Sequence, residues 1–130
     1  MKNTFTLIVV LVLLLGGYFV FNSVFPKIKI KENNASIVYI YEDKTINSNL
    51  TVDESEFLKK IFNGKRAYFD NPSCGFDENV SVRFSDMTFC IACDTCSIIK
   101  VKDRYFGISD EEREEINKIF EKYGGKFPCV

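Results

Sequence analysis

Between Lys2 and Lys27 the chain carries no charged side chain, and most of the intervening positions are large and apolar. The run from Phe5 to Leu15, then Gly16-Gly17 and the aromatics Tyr18, Phe19, Phe21 and Phe25 up to Pro26, has no stable place in water. A helix rising about 1.5 Å per residue needs roughly 20 residues to cross a hydrocarbon core of about 30 Å, and residues 5–25 match that length. The expected organisation is a short tail at 1–4, a transmembrane helix or signal-anchor at 5–25, a juxtamembrane linker at 26–35 and one small cysteine-containing domain at 36–130.

A positive start followed by an apolar stretch is also the form of a secretory signal, whose removal would leave a secreted domain. Cleavage needs small residues just past the apolar stretch, where this chain places Tyr18, Phe19, Phe21 and Phe25. A lipoprotein route needs an early cysteine, and the first is Cys74. A retained anchor is therefore expected. Two signals for its orientation oppose each other. Lys27, Lys29 and Lys31 outweigh Lys2, which by the positive-inside rule puts the domain in the cytoplasm. The cysteines, and a tail as short as the start of a signal peptide, favour an oxidising compartment outside it. We take the second and expect an extracytoplasmic domain. The lysines also alternate with Ile28 and Ile30 at period two, as in an edge strand or a stalk beside lipid headgroups.

Charge narrows the partners. From Glu32 onward 13 basic residues stand against 18 acidic ones, a net charge of −5. Nucleic acid, whose phosphates require a basic face, is not an expected partner. The chain has no histidine, which closes Ser-His-Asp and Cys-His catalysis and histidine-ligated zinc.

The domain reads as α+β, an antiparallel sheet with two amphipathic helices. Residues 36–41 are β-branched and aromatic, a strand ended by Glu42-Asp43-Lys44, after which Asn47-Ser48-Asn49 reads as a polar loop. Thr51-Val52-Asp53-Glu54 has capping-box spacing and opens a helix whose buried face would be Phe57, Leu58, Ile61 and Phe62, closed by Asn63-Gly64. Turn residues fill 70–75. Val80, Val82 and Phe84 alternate with polar neighbours as a half-buried strand, with a partner from Thr88 and further strands at 97–102 and 104–108 about a turn at Asp103. Ser109-Asp110-Glu111-Glu112 is a second capping box; Ile116, Ile119, Phe120 and Tyr123 form the stripe of the last helix, and Gly124-Gly125 ends it. The acids Asp110, Glu111, Glu112, Glu114 and Glu115 read as a solvated helix start, since consecutive helical acids diverge and lack calcium-loop geometry.

Five cysteines carry the remaining information: Cys74, Cys90, Cys93, Cys96 and Cys129. The favoured reading is two disulfides stapling a small exported domain, one from Cys74 to Cys129 and one within the cluster, Cys90 to Cys96 or Cys93 to Cys96. A metal reading takes Cys90, Cys93 and Cys96 with Cys74 or Cys129 as ligands to zinc or an iron–sulfur cluster. That C-x-x-C-x-x-C run resembles the opening of a bacterial ferredoxin motif, but Lys100 occupies the place of the fourth cysteine. A redox reading takes Cys93 and Cys96 as a thioredoxin-like pair, although the strand-like residues after Cys96 do not open the helix that such a pair uses. The expected function is a non-enzymatic, membrane-anchored binding or interaction module, with no catalytic residues, metal or cofactor, held to the membrane by residues 5–25 and facing an unidentified protein or small-molecule ligand. The alternative is a thiol-redox or metal-binding domain.

Overall fold

The computed structural model describes residues 1–129. Val130, the last residue of the expected domain, and the side chain of Lys2, counted above as flanking charge, lie outside the described residues. Helix α1 runs Lys2–Val24, long and apolar enough to cross a membrane, and its apolar window is not buried by the domain. Past it lie β1 (Ala35–Tyr41), β2 (Lys44–Asn49), α2 (Val52–Phe62), β3 (Val80–Phe84), β4 (Thr88–Ile91), β5 (Ile98–Val101), β6 (Arg104–Gly107) and α3 (Asp110–Lys122). The strands form one antiparallel sheet in the order β2-β1-β3-β4-β5-β6. The expected α+β class is the one observed.

Both capping boxes form. Thr51 and Ser109 accept the backbone N–H of Glu54 and Glu112, and those carboxylates accept the N–H of the capping residues in return. The two helices cover one face of the sheet. Phe62 stacks on Phe89 with ring centroids 4.5 Å apart and meets Phe106 edge-on, while Phe120 packs against Tyr39 and Phe127. Ile37, Val82, Ile99 and Ile116 are fully enclosed between the layers. Residues 76–78 lie over part of the opposite face, where Phe76 meets Tyr105 and the Ser81 hydroxyl donates to the Glu78 carbonyl.

Three expectations change. Asn47-Ser48-Asn49 belongs to the strand β2 rather than to a polar loop; β2 is the sheet's edge and faces solvent widely, so it carries no period-two apolar pattern. In α2 the expected Leu58, Ile61 and Phe62 are buried, but Phe57 is exposed and Ser55 is buried instead, its hydroxyl accepting the Ala35 N–H at 3.1 Å. The segment after α1 is not a free stalk: Ile28 and Ile30 are core residues. Ile28 donates its N–H to the Lys65 carbonyl and accepts the Gly64 N–H, each at 2.8 Å. Gly64 has φ +79, a left-handed conformation that a side chain would strain.

Glu54 joins the two domain helices. Besides its capping bond it accepts from Lys122 Nζ at 2.6 Å and from the Tyr123 hydroxyl at 2.8 Å. Burial pushes its pKa up, but the bonds from Lys122, the Thr51 backbone and Tyr123 outweigh this and hold it at about 2. A carboxylate held below its ordinary value contributes stability that is complete above the ordinary pKa of 4.5 and is lost as the pH falls toward about 2. The thermal midpoint should fall across this window, and Glu54→Gln should lower it at neutral pH and flatten its decline in acid, as followed by circular dichroism of the detergent-solubilised chain.

Candidate functional site

The cysteines converge on the β4–β5 loop, residues 92–97. The structure bonds Cys74 to Cys96 and Cys93 to Cys129, and leaves Cys90 as a buried free thiol. This differs from the expected Cys74 to Cys129 bond with a second inside the cluster. Cys93 and Cys96 leave the loop toward different partners. The Cys93 carbonyl accepts the Cys129 N–H at 2.9 Å, which brings the C-terminal segment beside Cys93, while the turn-rich 70s segment reaches Cys96. Cys90 sits on the strand itself, opposite Lys100 in β5, on the face away from the helices. Burial, then the charge of Glu78, pushes its thiol pKa up, so it is held as the unreactive thiol form.

The bonds span 22 and 36 residues of sequence. In the chain-entropy model loops of these sizes stabilise the fold by about 3–4 kcal/mol each, less any native strain. Together they tie the 70s loop and the C-terminus to one short connection.

That connection is held from below by Arg113 of α3, which is only 2% exposed. Its guanidinium donates to the Ala92 carbonyl at 2.6 Å, to the Cys96 carbonyl at 3.2 Å and to Asn117 Oδ1 at 2.9 Å, and lies 5.0 Å from the centroid of the Phe127 ring. Burial lowers its pKa to about 10, opposed by the nearby charge of Asp94. One planar fork thus grips both ends of the Cys93–Cys96 segment and touches the segment that carries Cys129. Asp94 orders the loop itself, accepting the Cys96 N–H at 3.1 Å, and Thr95 takes φ 65 to close the turn. Arg113 has a sequence signal that was passed over. It stands three residues before Ile116 and seven before Phe120, on the buried stripe of α3, where a charged side chain must find polar partners.

The metal set of the alternative reading, Cys90, Cys93 and Cys96 with Cys74 or Cys129, is not brought together, because Cys90 is separate and Cys93 is bonded to Cys129. A different group does converge: the sulfurs of Cys74 and Cys96 and a carboxylate oxygen of Asp94 lie within 4.8 Å of one another, with Asp94 exposed. Its sulfurs are joined as a cystine, which offers no thiolate. Reduced, the group would present three ligands, one fewer than a closed structural zinc site. The Cys93/Cys96 redox pair is likewise not formed, since each sulfur is bonded elsewhere.

Surface clefts open beside the helices and the C-terminal segment. One, of about 330 Å³, lies between α2 and α3 and is lined by Glu54, Phe57, Lys118 and Ile119. Another, of about 350 Å³, lies between the β1–β2 turn and the C-terminal segment, against Tyr41, Lys44 and Lys126. No protein-family model, no curated protein and no solved structure matches the chain.

Replacing Arg113 with Met should keep its volume but strand the Ala92 and Cys96 carbonyls, at a cost on the order of 3 kcal/mol. Arg113→Lys should recover only part of this, since an ammonium cannot bridge both carbonyls. Denaturant unfolding of the oxidised chain measures both.

Proposed function

We propose that the protein is a membrane-anchored, extracytoplasmic binding module whose cysteines are structural. The observation that supports this best is the divergence of Cys93 and Cys96 into separate disulfides, each closing a long stretch of chain. Such bonds persist in oxidising compartments. With α1 as a retained span, the domain stands directly outside the bilayer and presents fixed surfaces to a protein or small-molecule ligand. Its acidic balance argues against nucleic acid.

A second reading, a thiol-redox or metal-binding role, has one supporting observation, the Cys74, Asp94 and Cys96 group. It requires that the Cys74–Cys96 bond be reduced in use.

Two measurements separate these readings. Protease added to right-side-out membrane vesicles should digest the domain, and in inside-out vesicles the domain should be protected; the reverse pattern would place it in the cytoplasm and overturn the proposal. The purified oxidised chain should neither accelerate thiol–disulfide exchange nor, after mild reduction, retain zinc through gel filtration. Retention of one zinc per chain, abolished by Cys96→Ser, would establish the second reading instead.

A further inference from the structure

The end of α1 is not loosely joined to the domain. Arg66, beyond α2, donates to the Phe25 carbonyl and to Asn22 Oδ1 at 3.0 Å, and its guanidinium lies 4.7 Å from the centroid of the Phe21 ring. A cation at a helix C-terminus meets the negative end of the helix dipole and a carbonyl that the helix leaves unpaired. Lys27 and Arg66 are paired as an isolated bridge, and Ala67 donates its N–H to the Pro26 carbonyl. These contacts hold residues 66–69 against the last turn of α1.

The contacts continue outward. The Phe25 ring meets the Phe69 ring at 6.4 Å, and Arg104 lies over the Phe69 ring, its guanidinium carbon 4.8 Å from the centroid. Phe69 is 57% exposed. Beside it opens a cleft of about 380 Å³ lined by Lys27, Ala67, Met87, Lys102 and Arg104, with Asp103 its one carboxylate. The side chains of Lys27 and Lys102 are exposed, and neither has a hydrogen bond or ion pair among the described residues. The β5–β6 turn at Lys102-Asp103 thus brings two cations from late in the chain to the level at which α1 ends.

We propose that the face formed by Lys27, Arg66, Phe69, Lys102 and Arg104 docks the domain onto the anionic phospholipid surface from which α1 emerges. This rests on the reading of α1 as a membrane span. If α1 fills the hydrocarbon core, Phe25 lies at its boundary, and Phe69, in ring contact with Phe25, lies in the interfacial zone that aromatic side chains favour. Lys27, Lys102 and Arg104 then meet lipid phosphates at a range where cations are attracted to an anionic leaflet. A domain whose charge is acidic overall would otherwise be repelled by that leaflet, so the local basic face fixes which side turns toward it. The device sets the tilt of the domain against the bilayer.

The absence of tryptophan from the chain permits a clean test. The full chain bearing Phe69→Trp is reconstituted in vesicles of phosphatidylcholine alone or mixed with phosphatidylglycerol, and its fluorescence is quenched with brominated lipid. Docking predicts blue-shifted emission and quenching at least about twofold stronger in the anionic vesicles, lost at high salt and in the additional variant Lys102→Gln/Arg104→Gln. Water-like emission in both vesicles, or quenching that ignores lipid charge and these substitutions, would overturn the proposal. Alkaline carbonate extraction of the same vesicles separates the two levels: release of the chain would refute the span and the docking with it, whereas retention without quenching would refute the docking alone.

Discussion

The arrangement of the domain depends on one buried cation. Arg113 points into the protein from α3, and among the described residues it is satisfied by two main-chain carbonyls, one side-chain amide and an aromatic face. A guanidinium is suited to such a place because it is weakly hydrated, planar and able to donate in several directions at once. The consequence is that the β4–β5 loop, which has no regular structure of its own, acquires a fixed path. Both disulfides leave from that path. The 70s loop and the C-terminus are therefore positioned by a loop that is itself positioned by a helix, and the order of dependence runs from Arg113 outward.

The same logic operates at the other end. Arg66 completes the last turn of α1, and Ile28 and Ile30 enter the core immediately beyond it. The end of α1 and the domain thus share packing. Glu54 links the start of α2 to the end of α3 and gives the helical layer an acid-sensitive tie. Polar side chains such as Arg66, Glu54 and Arg113 make long-range connections among elements whose shapes are set by apolar packing.

The apolar part was legible in the chain. Period-two alternation located β3 and the following strands, 3.6-residue spacing located α2 and α3, and the two capping boxes located their starts. What local pattern does not reveal is edge position and tertiary pairing. Asn47-Ser48-Asn49 looks like a loop because an edge strand need bury nothing. Ile28 and Ile30 look like a stalk because their partners, residues 63–67, lie more than thirty positions away. The cysteine pairing was unreadable for a similar reason: a Cys74 to Cys129 bond would constrain the unfolded chain most, whereas the bonds formed follow which distant segments the fold brings beside the β4–β5 loop. Arg66 left no signal in its neighbourhood. The α2–α3 cleft was half legible: by spacing Phe57 reads as a core residue, yet it lines the cleft, while Ser55 is the buried side chain.

The central claim is an oxidised, stapled domain, and a thiol count tests it most directly. Full-length protein taken from its native membrane, denatured without reductant and alkylated, should show one free thiol per chain. That thiol should map to Cys90, with proteolytic peptides joining Cys74 to Cys96 and Cys93 to Cys129. Five free thiols, or a peptide joining Cys74 to Cys129, would contradict the account.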